Sequence, residues 1–147
     1  MTIDTSLMRA SHGLLMIVLT VGIQVLAQYL LGRTMMALPQ PRKSMRPTFY
    51  TLAHSVLAVT ILMVGHLLQV ILWALLYHFD WGELGNLSNA LYFSLASFTT
   101  LGANDLALSH AHRMVGALES AVGVLMFGWS TALLVRLVQH TDPISPH

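Results

Sequence analysis

The sequence contains no cysteine and very few charged residues. The absence of cysteine excludes disulfide bonds, thiolate metal sites and cysteine nucleophiles. Charged residues make up only 9% of the 147 residues, whereas hydrophobic residues make up 55%. A soluble domain usually has about a quarter of its residues charged, so this chain has too few polar groups to cover a surface in water. We therefore expect a single domain whose solvent is a lipid bilayer.

The few charges are unevenly placed. Their formal balance is +1 with histidine neutral, which gives no basic patch for a nucleic-acid partner. The most basic segment contains Arg33, Arg42, Lys43 and Arg46 and no acid. The positive-inside rule predicts that this loop is cytoplasmic. The N-terminus is then outside and the C-terminus cytoplasmic, in a bacterial-type inner membrane that the chain crosses several times.

Three stretches are apolar enough to cross a membrane. Residues 10–32 carry no charge, which is sufficient for a helix to cross a hydrocarbon core about 30 Å thick. The second uncharged run is 47–79, and we place its span near 51–77, with Pro47 outside the helix. The third span is expected near 112–138. The pattern predicts an all-α membrane protein with three transmembrane helices.

A shorter helix is predicted between the second and third spans, after an exposed loop at 80–85. Ser88 to Thr99 has helical character, with Asn86 or Ser88 as the N-cap. A helix of this length rises only about 18 Å, roughly half of a bilayer. Because the third span must start on the same side, we predict a re-entrant element, a half-helix followed by an extended return. Such backbone is tolerated only where it is buried in protein or lines an aqueous cavity.

The extended stretch after the half-helix contains polar residues and residues that tolerate unusual backbone angles. Thr100 to Asp105 are the predicted extended stretch, whose backbone carbonyls need a partner other than lipid. Gly102 permits backbone angles that are closed to other residues, and Asn104 is the non-glycine residue that best tolerates the left-handed region. The half-helix directs the partial negative charge of its C-terminus toward the membrane centre. These features favour a cation.

The half-helix, the stretch TTLGAND and the segment RMVGALESAVGVLMFGW together resemble the pore module of tetrameric potassium channels, in the small bacterial class with two helices and a pore loop. The resemblance covers about residues 51–138 and leaves the first span outside. It implies an ion channel rather than an enzyme, with no cofactor and with K⁺ or Na⁺ as the permeant ion. It also implies a homotetramer, because one loop cannot enclose an axis.

The resemblance assigns roles to individual residues. The family's filter reads T-V-G-Y-G-D, and its carbonyls replace the hydration shell of the ion. Thr100, Leu101 and Gly102 stand at the Thr, the Val and the first Gly, and Asp105 stands at the closing acid. Gly123 falls at or next to the glycine taken in the family as the gating hinge of the inner helix.

Two filter positions depart from the family. Ala103 replaces the Tyr, and its side chain is too short to brace the filter against the half-helix. Asn104 replaces the second Gly. Both changes predict outer ion sites that are wider or absent, and therefore relaxed selectivity, whereas the inner sites formed by residues 100–102 are retained.

Other polar residues lie in or beside the spans. Glu119 either supports the filter from behind, accepting hydrogen bonds from the loop backbone or from Thr99, or lies in water at the outer interface. His66 is expected to be neutral and hydrogen-bonded to a neighbouring helix rather than a metal ligand. His110 and His112 either form rings at the outer mouth that bind divalent metals or sense pH, or lie in a solvated turn.

The chain is accordingly divided into an N-terminal transmembrane helix with its basic loop (1–46), a pore module (47–140) and a short cytoplasmic tail (141–147). The leading function is a tetrameric channel for monovalent cations. The alternative is a non-channel membrane protein, either a metal or proton carrier using His66, Glu119 and the methionine residues, or a helical scaffold. A carrier or scaffold has no use for a half-helix followed by a TTLG loop.

Overall fold

The computed structural model describes residues 2–37, 47–103 and 105–141, and all regular structure in these ranges is helical. The helices are α1 (Thr2–Ala37), α2 (Pro47–Leu75, continued by the π-helical turn Leu76–Trp81), α3 (Leu87–Phe98) and α4 (Arg113–Thr141). Several predicted features lie outside the described residues. They are the basic loop residues Arg42, Lys43 and Arg46, the filter residue Asn104 and the tail after Thr141.

Three of these helices are long and apolar enough to cross a membrane. Their apolar parts cover Ser11–Ala37, Leu52–Trp81 and Arg113–Gln139. The prediction of three spans in an all-α membrane protein is confirmed by length and composition. The first two spans extend further toward their C-terminal ends than the charge pattern indicated.

Both ends of α2 differ from the prediction. Pro47 is the first residue of the helix rather than part of the loop, because a proline is tolerated in the first turn, where its missing N–H has no helical partner. Asp80 and Trp81 were predicted to lie in a loop but belong to the π-helical turn, which ends at Gly82 with φ +61°. The π-helical turn also contains the buried side chain of Tyr77.

The first helix packs closely against the rest of the chain. A Cβ atom on Gly65 of α2 would lie 3.1 Å from the Cβ atom of Ala27 in α1, so the two backbones approach through small residues, as is common between membrane helices. A further apolar cluster joins α1 and α2 to α4. Its members are Leu31, Ala58 and Leu62, with Leu133, Leu134 and Leu137 packed against them.

The short helix α3 lies between α2 and α4. Phe93 of α3 packs edge-on against Tyr77, with ring centroids 5.3 Å apart. At the other end of α3, the inner helix α4 passes so close that a Cβ atom on Gly123 would overlap the carbonyl oxygen of Phe98. This contact requires glycine at position 123. The helix α4 is continuous through Gly123. The role of Gly123 as a gating hinge therefore stays a prediction.

We expect Gly123→Ala to lower the stability of the protein by about 1–3 kcal/mol, because the added methyl group meets backbone that has no room to move. Gly128→Ala is the matched control, since a Cβ atom there meets nothing within 4 Å. Thermal unfolding of the purified protein in detergent, followed by circular dichroism, measures the difference. Equal melting temperatures for the two variants would contradict the close crossing of α3 and α4.

Candidate functional site

The start of α3 is fixed by a side-chain cap. The backbone of Asn86 is extended, and its side-chain oxygen accepts a hydrogen bond from the backbone N–H of Asn89 at 2.8 Å. Asn86 is thus the N-cap, and of the two predicted candidates Ser88 is not the cap. The helix then buries one face against the protein. That face consists of Ala90, Phe93, Ser94, Ala96, Ser97 and Phe98.

The end of α3 is a tight left-handed turn. The backbone N–H of Thr100 donates to the carbonyl of Ser97 at 2.9 Å, and that of Gly102 donates to the carbonyl of Ala96 at 3.1 Å. Thr100 has φ +61° and Gly102 has φ +80°. The left-handed backbone predicted for Gly102 is confirmed, but Thr100 belongs to the helix-capping turn rather than to the extended stretch. The carbonyls at a helix end need donors, and this turn supplies two.

The residues after α3 face away from the interior of their own chain. Leu101 is 76% exposed. Thr99, Thr100, Gly102 and Asp105 are also exposed. A positive φ at a threonine is a strained conformation, of the kind that clusters at functional sites. The chain therefore presents a strained, partly polar loop whose residues are largely exposed.

Ala103 is the exception among these loop residues. It is half-buried and packs against the apolar cluster to which Tyr77, Phe93 and Leu108 belong. That its side chain is too short to brace the loop against the half-helix stays a prediction, because residues of α2, α3 and α4 all contribute to this cluster.

The carboxyl group of Glu119 is fully buried between three helices. The hydroxyl of Tyr77 in α2 donates to one carboxyl oxygen at 2.7 Å, and Ser94 of α3 contacts the other at 2.5 Å. Burial excludes the interpretation that Glu119 lies in water at the membrane surface. The expected donor Thr99 is not a partner, because its hydroxyl donates to the carbonyl of Leu95 in its own helix at 2.7 Å.

The hydroxyl of Ser94 has a second acceptor, the backbone carbonyl of Val70 at 2.8 Å. One hydroxyl proton cannot serve two acceptors at once. Both contacts are hydrogen bonds when Glu119 is protonated and donates to Ser94, which then donates to Val70. A neutral carboxyl group also suits a site without water, where an unpaired charge is very unfavourable.

A second polar cluster lies in the loops outside the spans. Glu83 accepts hydrogen bonds from the backbone N–H of Ser109 at 2.9 Å and from its hydroxyl at 2.6 Å, and contacts Nδ1 of His112 at 2.5 Å. The ring of His112 stacks on Trp81, with centroids 3.9 Å apart. Within one chain, His112 is therefore paired with Glu83 rather than free for a ring of four at a pore mouth. His110 remains exposed.

Two groups of partners were not found from the sequence. Tyr77 and Ser94 bind Glu119, while Gln24 and Gln69 join His66 in a second buried cluster. Uncharged polar residues inside apolar runs were the signal that could have identified them. The prediction that His66 bonds to a neighbouring helix is confirmed, since its Nε2 atom lies 3.1 Å from the hydroxyl of Ser130 in α4. In the described part of the chain, His, Asp and Glu form no group of three or more that could hold a metal.

We expect Ser94→Ala to destabilise the protein by about 1–3 kcal/mol, because it leaves the buried carboxyl proton of Glu119 without an acceptor and the buried carbonyl of Val70 without a donor. Ser120→Ala is the control, since Ser120 is only partly buried and its hydroxyl donates to a carbonyl of its own helix at 3.3 Å. Thermal unfolding in detergent compares the variants with the parent protein. A loss in Ser120→Ala as large as that in Ser94→Ala would argue against a specific role for the carboxyl site.

The Glu83 cluster is expected to depend on pH. Partial burial acts to raise the pKa of Glu83, but the hydrogen bonds from Ser109 and the contact with His112 outweigh it, and the pKa lies below the ordinary value of 4.5. A lowered pKa means that folding favours the carboxylate. The stabilisation is therefore complete above pH 4.5 and is lost as the pH falls through the lowered pKa.

The test compares the melting temperature of the parent protein with that of Glu83→Gln across this range. The parent should be the more stable at neutral pH, and the difference should shrink toward zero once the pH is well below 4.5. A difference that does not change with pH would show that the carboxylate charge has no part in the cluster.

Comparison with known proteins identifies the family. A family model described as an ion channel matches residues 56–140, more than half of the chain. No curated protein and no solved structure matches the chain. The matched range contains most of α2, all of α3, the strained loop and nearly all of α4, which are the elements that carry the resemblance seen in the sequence. The chain therefore belongs to this potassium-channel-like family of two-helix ion channels.

Proposed function

We propose that the protein is a homotetrameric pore-loop channel that conducts monovalent cations, K⁺ or Na⁺, across a bacterial-type inner membrane. Membership of the ion-channel family supports conduction rather than catalysis, and three long apolar helices support a lipid environment. The observation that carries the proposal is the 12-residue helix α3, which lies between two spanning helices and ends in the strained turn of Thr100 and Gly102.

The shape of α3 supports a re-entrant position. Its 12 residues rise only about 18 Å, roughly half the thickness of a bilayer. The helix packs against α2 and α4, and this packing supports a position inside the layer that those helices span. Non-helical backbone at that depth must be covered by protein or line water. Four copies around one axis cover the exposed loop of each subunit, and this is the argument for a tetramer.

The loop supplies the ion site in this proposal. Carbonyl groups of Thr100, Leu101 and Gly102 from four subunits replace the hydration shell of the ion at the inner sites. Ala103 and Asn104 stand where the resembling filters have Tyr and Gly, so the outer sites are wider and selectivity among monovalent cations is relaxed. Asp105 closes the loop at the outer mouth and attracts cations.

Two further residues support the filter indirectly. Thr99 completes the last turn of α3 through its bond to Leu95. Glu119 holds α3 through Ser94, about a turn and a half before the loop. Both residues act on the helix that carries the filter, and neither touches the ion. The basic loop before α2 is cytoplasmic in this arrangement, and the filter opens to the outside.

The alternative of a carrier or scaffold is not favoured. It gives no role to the match with an ion-channel family. It also gives no role to the exposed loop residues Thr100, Leu101 and Gly102. Conduction gives this loop a role as the ion site.

The proposal is tested by ion flux into liposomes that contain the purified protein, with a potassium or sodium gradient and a fluorescent indicator of flux. Gly102→Ala should suppress most of the flux, since an alanine is strained at φ +80° and the filter backbone must shift. Gly85→Ala is the control, because Gly85 has a similar φ of +76° but lies before α3. Each substitution strains the fold by about 1 kcal/mol, so a difference in flux reports on the filter.

Absence of flux from the parent protein in both gradients would refute the proposal. So would a protein that cross-links in the bilayer as a monomer or dimer. Flux that is unaffected by Gly102→Ala would locate the conduction pathway elsewhere in the chain.

A further inference from the structure

Four buried polar side chains form a closed ring between three helices. Gln24 of α1 donates from Nε2 to the hydroxyl of Ser130 in α4 at 2.9 Å, and its Oε1 accepts from Nε2 of Gln69 in α2 at 3.0 Å. His66 of α2 completes the ring, 3.1 Å from Ser130 and 3.5 Å from Gln69. Gln24 and Gln69 have no exposed surface, and the other two are nearly as buried.

The donors and acceptors of the ring have one consistent order. Oε1 of Gln69 can only accept, so Nδ1 of His66 carries a proton and donates to it. In a neutral imidazole, Nε2 then accepts, and its donor is the hydroxyl of Ser130. That hydroxyl in turn accepts from Gln24, which accepts from Gln69. Every member donates once and accepts once around the circle, and therefore none of the four bonds is replaced without disturbing the others.

The ring connects the first helix with two parts of the proposed pore, the segment of α4 after Gly123 and the end of α3. Ser130 lies seven residues beyond Gly123, in the part of α4 that would swing if the helix bends or rotates there. The imidazole of His66 also lies close to two aromatic side chains. Its centroid is 4.8 Å from that of Phe127 in α4 and 6.0 Å from that of Phe98 at the end of α3. Phe98 directly precedes the filter turn.

We propose that this ring makes α1 a gating element, in which Gln24 is a positioning residue that holds the segment of α4 after Gly123 in one arrangement. The inference rests on the proposed channel function. Moving Ser130 away from α1 leaves Nε2 of Gln24, Nε2 of His66 and the serine hydroxyl without their partners in an environment that has no water to replace them. The ring therefore stabilises the observed position of α4 relative to any other position that gating requires, and its removal shifts the balance between them.

The chain contains a matched control for this idea. Gln28 lies one helical turn after Gln24 in α1, and its Nε2 atom is buried without a hydrogen-bond partner. Gln24→Met and Gln28→Met make the same chemical change on the same helix, with a side chain of similar length. Only the first removes bonds to α2 and α4. Ser130→Ala breaks the ring from the other side by removing one oxygen atom, and Ser130→Thr retains the hydroxyl.

The experiment is single-channel recording of the full-length protein in planar bilayers, after size-exclusion chromatography has shown that each variant assembles as the parent does. We expect Gln24→Met and Ser130→Ala to change the open probability in the same direction, on the order of three- to tenfold, which is the effect of losing two hydrogen bonds inside a membrane. Gln28→Met and Ser130→Thr should match the parent. The current through a single open channel should be the same in all.

The outcomes separate the inference from the function on which it rests. A conducting parent with equal open probability in Gln24→Met and Gln28→Met overturns the gating role, even if Gln24→Met melts at a lower temperature. Opposite shifts in Gln24→Met and Ser130→Ala also overturn it. If Gln24→Met does not assemble, Ser130→Ala against Ser130→Thr decides the same question. A parent that passes no current refutes the channel itself.

Discussion

The carboxyl group of Glu119 joins the three helices on which the pore module depends. It takes one hydrogen bond from the end of α2 and one contact from α3, while its own helix is α4. In lipid there is no water to solvate a carboxyl group, so its partners must come from the protein. These contacts position α3. Since the turn follows directly on α3, they also position the carbonyl groups of the proposed ion site.

One face of α4 carries all of these contacts. Glu119, Gly123, Met126 and Ser130 follow each other at spacings of three or four residues, which places them on one side of a helix. Glu119 meets α3 and the π-helical turn, Gly123 meets the last residue of α3, and Ser130 meets α1. Other large apolar residues of α4 are exposed and face surroundings that a single chain does not provide. They are Met114, Leu118, Val124, Leu125, Phe127, Trp129, Val135 and Val138.

In both buried polar clusters, polar side chains inside the protein find their hydrogen-bond partners on other helices. Around Glu119, a single group with two partners orders the helices of the family's pore module. Around Gln24, four groups bond to one another in a circle and attach a helix that lies outside that module. Hydrogen bonds are directional, so they restrict the rotation and the register of a helix more narrowly than apolar packing between helices does. The first helix is thereby part of the core of the chain rather than a separate anchor.

The sequence by itself determined the three spans, the short helix between them and the left-handed glycine, and it left open whether Glu119 is buried or lies in water. Each of the three follows from a local property: the length of an apolar run, the chemistry of an N-cap, the freedom of glycine. Only the tertiary structure decided that Glu119 bonds to Tyr77 and Ser94, that Gly123 is needed where two backbones meet, and that Gln24 reaches Ser130. Those pairs are separated by tens of residues along the chain, and the rotation of each helix about its axis, which brings them together, is a property of the packed bundle and not of any one segment.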